Sequence, residues 1–170
     1  MKIKIAITDA CIFIDLYDLD LISLFFNLEI EIHTTSSVLF ELYPEQLQKL
    51  KAYQSVKKLV VHNLKEEDFI EIYTDTYPKS LSETDKSVLY VANKLDACVL
   101  SSDKAVRNCA KNKDIEYHGM IWIFDQLVET NSLAKKIAAS KLRELIEINF
   151  TFRNNPSLVA EIEKRLKLWE

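Results

Sequence analysis

An α/β fold in three layers, with helices on both faces of a central, mostly parallel sheet, follows from three observations. Short β-branched apolar runs recur along the chain and alternate with longer segments of helical period. The runs read as strands buried on both faces, the signature of a parallel sheet. Just past the end of two of them lies an aspartate, which is where ligand-binding residues of open α/β sheets lie.

The elements follow in order. Lys4 to Thr8, KIAIT, is the first strand and ends at Asp9. Residues 10–16 and 18–27 read as helices, with Asp18 and Asp20 placed to cap the second. Glu29 to Thr34 alternates as EIEIHT, a strand pattern. Thr35 or Ser36 then caps a helix through Val38, Leu39 and Leu42, and Pro44 resets the chain into a helix over 45–57. Lys58 to His62 is a further strand, and Glu66 to Tyr73 is a short amphipathic helix with acids in its first turn. Ser82 to Leu95 is the clearest helix, with Leu81, Val88, Leu89, Ala92 and Leu95 at helical spacing. Ala97 to Ser101 is a buried strand, followed by a helix over 102–113, a brief strand over 115–118 and a helix over 120–129. Amphipathic helices over 132–148 and 156–169 finish the chain.

Composition narrows the function. Of 170 residues, 48% are hydrophobic and 28% charged, enough for one soluble domain with its own core. A single glycine excludes the Walker and dinucleotide phosphate loops, which need several for close backbone approach. Net charge is −4, unevenly spread: residues 1–103 carry ten Lys/Arg against seventeen Asp/Glu, the remainder twelve against nine. An acidic metal-holding part beside a basic part suits a phosphate backbone, although scatter on a solvated surface explains it as well. Cys11, Cys98 and Cys109 lack metal or redox spacing and read as packing residues of a reducing compartment. His33, His62 and His118 have no ligand spacing and read as surface or interface residues. No apolar run is long enough to span a membrane and the N-terminus is too acidic for a signal peptide, so a cytoplasmic protein without membrane contact is expected.

Four carboxylates carry the chemistry. Asp9 and Asp103 each follow an apolar strand, Glu41 lies in the mostly apolar run SVLFEL, and Asp85 shares a helix face with Val88, Leu89 and Ala92. Each has an ordinary role open to it: helix N-cap for Asp9 and Asp103, solvated face for Glu41, first-turn acid for Asp85. Together, beside apolar surface, they repel unless a hard divalent cation joins them. That makes Mg²⁺- or Mn²⁺-dependent phosphodiester hydrolysis the expected chemistry. Thr8, Ser36 and Ser102 can cap helices or hold a phosphate, and Arg107 can pair with Asp103 or reach a substrate phosphate.

The order and spacing of these segments resemble the PIN-domain family of nucleases. The strand ending in Asp9 with CIFIDL is similar to its first acidic motif and TSSVLFEL, with Glu41, to its second. LSETDKSVLYVA, with Asp85, and VLSSDKAVRNCA, with Asp103, are similar to its third and fourth. The resemblance covers residues 3–134 and is strongest to a prokaryotic branch of VapC-type toxins. It implies a PIN-like α/β/α nuclease domain over 1–134, with 135–170 a helical extension that covers a sheet edge or forms a homodimer contact. It also implies metal-dependent RNA cleavage, with Asp9, Glu41, Asp85 and Asp103 as metal ligands and catalytic groups, and an antitoxin protein as partner. Ser36, Ser102 and Arg107 are then expected against the RNA. Two departures stand out. Ser102 replaces a frequent second acid before Asp103, and the third acid is the shorter Asp85.

Rival readings fare less well. A haloacid-dehalogenase-like phosphatase needs D-x-D, and position 11 is Cys11. A receiver domain needs an early acidic pair and a late lysine around a mid-sheet aspartate, which are not found. A PIN-fold module that binds nucleic acid or protein with a weakened site is the stronger alternative.

Overall fold

The structure is a computed structural model that describes residues 3–170. In chain order the elements are β1 (Lys4–Thr8), α1 (Ala10–Asp18), α2 (Ile22–Phe26), β2 (Ile30–Thr35), α3 (Ser36–Phe40), α4 (Pro44–Ser55), β3 (Leu59–His62) and α5 (Glu66–Thr74). There follow α6 (Glu83–Leu95), β4 (Cys98–Leu100), α7 (Lys104–Asn112), β5 (Tyr117–His118), α8 (Met120–Glu129), α9 (Lys135–Ile148), α10 (Phe150–Arg153) and α11 (Pro156–Trp169). The expected α/β/α class holds, built on one parallel sheet. The chain forms two compact units, one of residues 1–14 and 29–119, the other of residues 15–28 and 120–170. The boundary expected after residue 134 marks where the sequence motifs end; α8 to α11 all lie in the second unit.

The first unit holds the sheet, in the order β3-β2-β1-β4-β5, every neighbouring pair parallel. β1 is central, with Ile7 opposite His33 on one side and Val99 on the other. Ala6, Ile7, Val99 and Leu100 are fully buried, so these runs carry no polar face. Because all strands run the same way, Thr8, Thr35 and Leu100 end on one edge. α6 leads directly into β4, so its N-terminus returns to that same carboxyl edge. Thr35 Oγ1 fixes it there with a 2.9 Å hydrogen bond to Ser87 Oγ, between two fully buried side chains.

His33 differs from expectation. It is buried, not at the surface, with Nε2 2.8 Å from Glu31 Oε1 and Nδ1 2.8 Å from His62 Nε2. β2 is an interior strand, and a histidine there is satisfied by neighbours instead of water.

The second unit packs α9 against α11, α10 and α8. The expected helix over 18–27 is shorter. Asp20 takes a left-handed turn, φ 56°, and α2 begins after Leu21 without a side-chain cap. Burial of Leu19, Leu21 and Ile22 outweighs the capping that Asp18 and Asp20 offer. Asn131, also left-handed, delays α9 to Lys135. Asn149 then caps the short α10, which sequence periodicity alone does not reveal, through its Oδ1 accepting from Phe152 N. The Asn149 amide also donates to both oxygens of buried Asp15, at 3.0 and 3.1 Å. Burial nevertheless pushes the Asp15 carboxyl up to about 6.

Candidate active site

Asp9 is the centre of the carboxyl edge. Its backbone N–H donates to Leu100 O at 3.1 Å, which ties the end of β1 to the end of β4. Its Oδ1 accepts from Ile12 N at 3.2 Å and from the Cys11 thiol at 2.8 Å, so Asp9 also caps α1. The residue is 7% exposed. Burial pushes its carboxyl up to about 6, with the Asp85 charge adding to the rise. Hydrogen bonds from Cys11, Ser101 and Ile12 offset only part of that. An ionised carboxylate here lacks a positive partner, the condition a cation relieves.

Asp85 stands in the first turn of α6. Its Oδ2 accepts from Ser82 N at 2.9 Å, while Ser82 Oγ accepts from Asp85 N at 3.1 Å. This reciprocal capping box is the ordinary role open to it, and it coexists with the inward placement that brings its charge to bear on Asp9. Asp103 caps α7, with Oδ1 accepting from Ala105 N at 2.8 Å and Val106 N at 3.1 Å. It does not pair with Arg107. The guanidinium instead lies over the Tyr117 ring, 5.3 Å from its centroid. Glu41 is exposed and ends α3 as its C-cap.

The structure therefore brings Asp9 and Asp85 into electrostatic contact and turns Asp85 and Asp103 each onto its own helix terminus. Among the described residues no three His, Cys, Asp or Glu side chains are already arranged to hold an ion. The donor set nonetheless fits a hard divalent cation. Thr8 Oγ1 and Ser102 Oγ are buried without a hydrogen-bond partner, one beside Asp9 and the other beside Asp103. Buried orphan hydroxyls cost about 1–3 kcal/mol each unless something binds them. Asp9 and Asp85 would hold the ion, and Asp103 would join by rotating off its N-cap bonds to Ala105 N and Val106 N.

Two participants were not expected from the sequence. Ser101, fully buried, hydrogen-bonds Asp9 and accepts from Asp103 N at 3.1 Å, linking the two strand-end acids. Cys11 donates to Asp9 and its Sγ accepts from Ser102 N at 3.4 Å, so it is a member of the site's hydrogen-bond frame. Position after a strand, the signal used for Asp9 and Asp103, also marks Ser101. Nothing in the sequence marks Cys11, whose placement comes from the β1–β4 pairing.

A hollow of about 430 Å³ opens at the opposite, amino edge of the sheet, lined by Lys4, Asn93, Asp96, Ala97, Asp114 and Glu116 among others. None of the four acids lines it.

Comparison with known proteins supports the fold and the family. A PilT N-terminus domain protein, SSO1118, from the hyperthermophilic archaeon Sulfolobus solfataricus P2 matches with a TM-score of 0.50 at 15% identity, over 74% of this chain and 92% of that one. A domain of a functionally unknown protein from Methanocaldococcus jannaschii DSM 2661 matches with a TM-score of 0.48 at 25% identity, over 69% of this chain and 91% of that one. Among curated proteins there is no significant match. The family model DUF3368, described as a PIN domain, matches residues 5–168. That span includes all four acidic segments and the C-terminal helices, and the chain belongs to the PIN-domain family, a fold of nuclease type.

Proposed function

We propose that the protein is a Mg²⁺- or Mn²⁺-dependent endoribonuclease with a toxin-like role, acting at the carboxyl edge of the sheet. The observation that carries this reading is Asp9: a buried carboxylate pushed up to about 6, under the charge of Asp85, with the orphaned hydroxyl of Thr8 next to it in the chain. Family membership supplies the nuclease expectation. Asp9 and Asp85 would hold the ion with Asp103 as a further ligand, and exposed Glu41 would serve as general base for the attacking water. The ion, when bound, supplies a Lewis acid for the phosphodiester. Ser36, Ser102 and Arg107 are the residues assigned to the RNA backbone in this reading. Above a pH of about 6 Asp9 is ionised and able to bind a cation; below it a proton competes. An antitoxin partner and a homodimer extend the same reading. No described helix is long and apolar enough to cross a membrane.

The test uses a mixed pool of single-stranded RNA with Mn²⁺. Wild type should cut it and stop with EDTA, and Asp103→Asn should leave it intact with an unchanged circular-dichroism melt. If wild type leaves the pool whole, or both proteins cut it equally, the nuclease reading fails. The alternative of a PIN-fold module that binds without cutting, consistent with acids not yet arranged around an ion, then takes its place.

A further inference from the structure

Phe40 and Tyr43 are large aromatic side chains that the fold leaves in water, 90% and 72% exposed. Exposed Glu41 stands between them in the chain. Their backbone is nevertheless fixed. Thr35 Oγ1 accepts from Val38 N at 3.3 Å and so caps α3, and Val38 and Leu42 are buried. Glu41 N and Leu42 N close the last turn on Val38 O and Leu39 O. Tyr43 N donates to Oε1 of buried Gln46 at 2.9 Å, and Pro44 opens α4. Val38 anchors the inner side of α3. Phe40, two residues and so about 200° further round, is turned outward. Among the described residues neither ring stacks on another ring or lies under a cation.

The rings belong to the carboxyl edge. α3 starts where β2 ends, and its length gives a rise of only about 7.5 Å. α3 packs on α6, and its cap, Thr35, is the residue bonded to Ser87, two residues after Asp85. Phe40, Glu41 and Asp85 are thus held from one buried bond.

Size and neighbours decide what covers the rings. A stable protein contact buries about 800 Å² on each partner. Two aromatic side chains supply about 150–250 Å² each. The exposed residues that follow on α4, Glu45, Gln48 and Lys51, are polar and add no apolar area. The pair is too small to centre a protein interface and matches one or two nucleobases, whose flat faces stack on aromatic rings whatever the base. Any strand that brings a phosphodiester to Glu41 carries a base on either side of it.

We propose that Phe40 and Tyr43 form a base-stacking platform for single-stranded RNA, one ring on each side of Glu41 in the chain, that selects unpaired strands without regard to sequence. The platform deepens the nuclease reading and rests on it for the strand that passes Glu41. Bases in a duplex are already paired and stacked on one another, so they offer no free face to a ring.

Anisotropy of two fluorescein-labelled probes, with Ca²⁺ in place of Mn²⁺, tests the platform. One is a short oligouridylate and the other an abasic oligomer of equal length and charge. Phe40→Ala and Tyr43→Ala should each weaken oligouridylate binding about tenfold and leave the abasic oligomer unaffected. The slope of log affinity against log salt should not change, because a ring releases no counterions. Phe40→Trp and Tyr43→Phe keep a ring and should bind as wild type does, whereas Phe40→Leu keeps apolar area without a flat face and should fall with Phe40→Ala. All these positions are exposed, so melts should match wild type. Equal oligouridylate binding by wild type, Phe40→Ala and Tyr43→Ala overturns the proposal and leaves the rings to a protein partner. Equal losses on both probes, or no binding by wild type, overturn it too. Cleavage scored separately with Mn²⁺ keeps the two readings apart. Base-dependent binding through the rings without any cutting removes hydrolysis and keeps the platform. Cutting by wild type with equal affinity in every variant removes the platform and keeps hydrolysis.

Discussion

Asp9→Asn is expected to reduce metal-dependent RNA hydrolysis by roughly three orders of magnitude, on the order of 4 kcal/mol of transition-state stabilisation. Of the four acids it alone is buried, and burial pushes its carboxyl up to about 6. Removing its charge removes the main anchor for a cation. The amide carbonyl can still accept from Ile12 N and the Cys11 thiol, so α1 keeps its cap. The fold should therefore survive, and in the metal-free protein near neutral pH it should gain stability. A buried carboxylate raised by about two pKa units costs roughly 3 kcal/mol when ionised. For a chain of this size that corresponds to a melting temperature higher by roughly 5–10 °C. Loss of activity with a gain in stability separates a functional carboxylate from a structural one, whose removal would lower both. Initial rates on labelled RNA and calorimetric melts with EDTA measure the two halves.

The second large effect is on pH and metal together. Asp9 and Asp15 are both raised from 3.8 to about 6 in the folded protein, each chiefly by burial. A raised carboxyl binds its proton more tightly when folded. The stability it contributes is fully present below about 4 and is lost as pH rises through about 6. The metal-free protein should therefore melt at a lower temperature at about pH 7.5 than at about pH 5. Mn²⁺ reverses this at Asp9, because it competes with the proton for the same oxygens. Its stabilising effect should be large at about pH 7.5 and small at about pH 5. Asp9→Asn should abolish the Mn²⁺ shift at both pH values. Asp15 lies in the second unit with Asn149, and Asp15→Asn should leave the Mn²⁺ shift intact while flattening the pH dependence. Melting curves across this pH range, with and without Mn²⁺, separate the two aspartates. A Mn²⁺ shift that survives in Asp9→Asn would place the ion elsewhere.

Strands buried on both faces announce themselves, because KIAIT and CVL have no polar alternation to confuse with anything else. The carboxyl edge of a parallel sheet follows from that, and with it the expectation that Asp9 and Asp103 share one edge; the order β3-β2-β1-β4-β5 comes only from the pairing of the strands. The details that sequence periodicity did not reach are those decided by competition between neighbours. Asp18 and Asp20 are good caps, yet the chain turns to bury Leu19 and Leu21. Arg107 sits four residues after Asp103 at ideal ion-pair spacing, yet it lies over Tyr117, ten residues away. His33 has no ligand spacing, yet it is buried in a chain with Glu31 and His62 that only the β2–β3 pairing creates. Cys11 reads as packing and turns out to donate to Asp9. For Arg107 and His33 the deciding partner is distant in sequence, while for Asp18, Asp20 and Cys11 it is an adjoining residue.

The most direct test of the central claim, that this edge holds a divalent ion between Asp9 and Asp85, is an anomalous-scattering map from crystals of wild type soaked in Mn²⁺ at about pH 7.5, where Asp9 is ionised. The account predicts a peak coordinated by both carboxylates, with Asp103 rotated off the Ala105 and Val106 amides toward it, and no peak there in Asp9→Asn crystals. A map with no density at Asp9 and Asp85, or with Mn²⁺ bound only elsewhere, would contradict it.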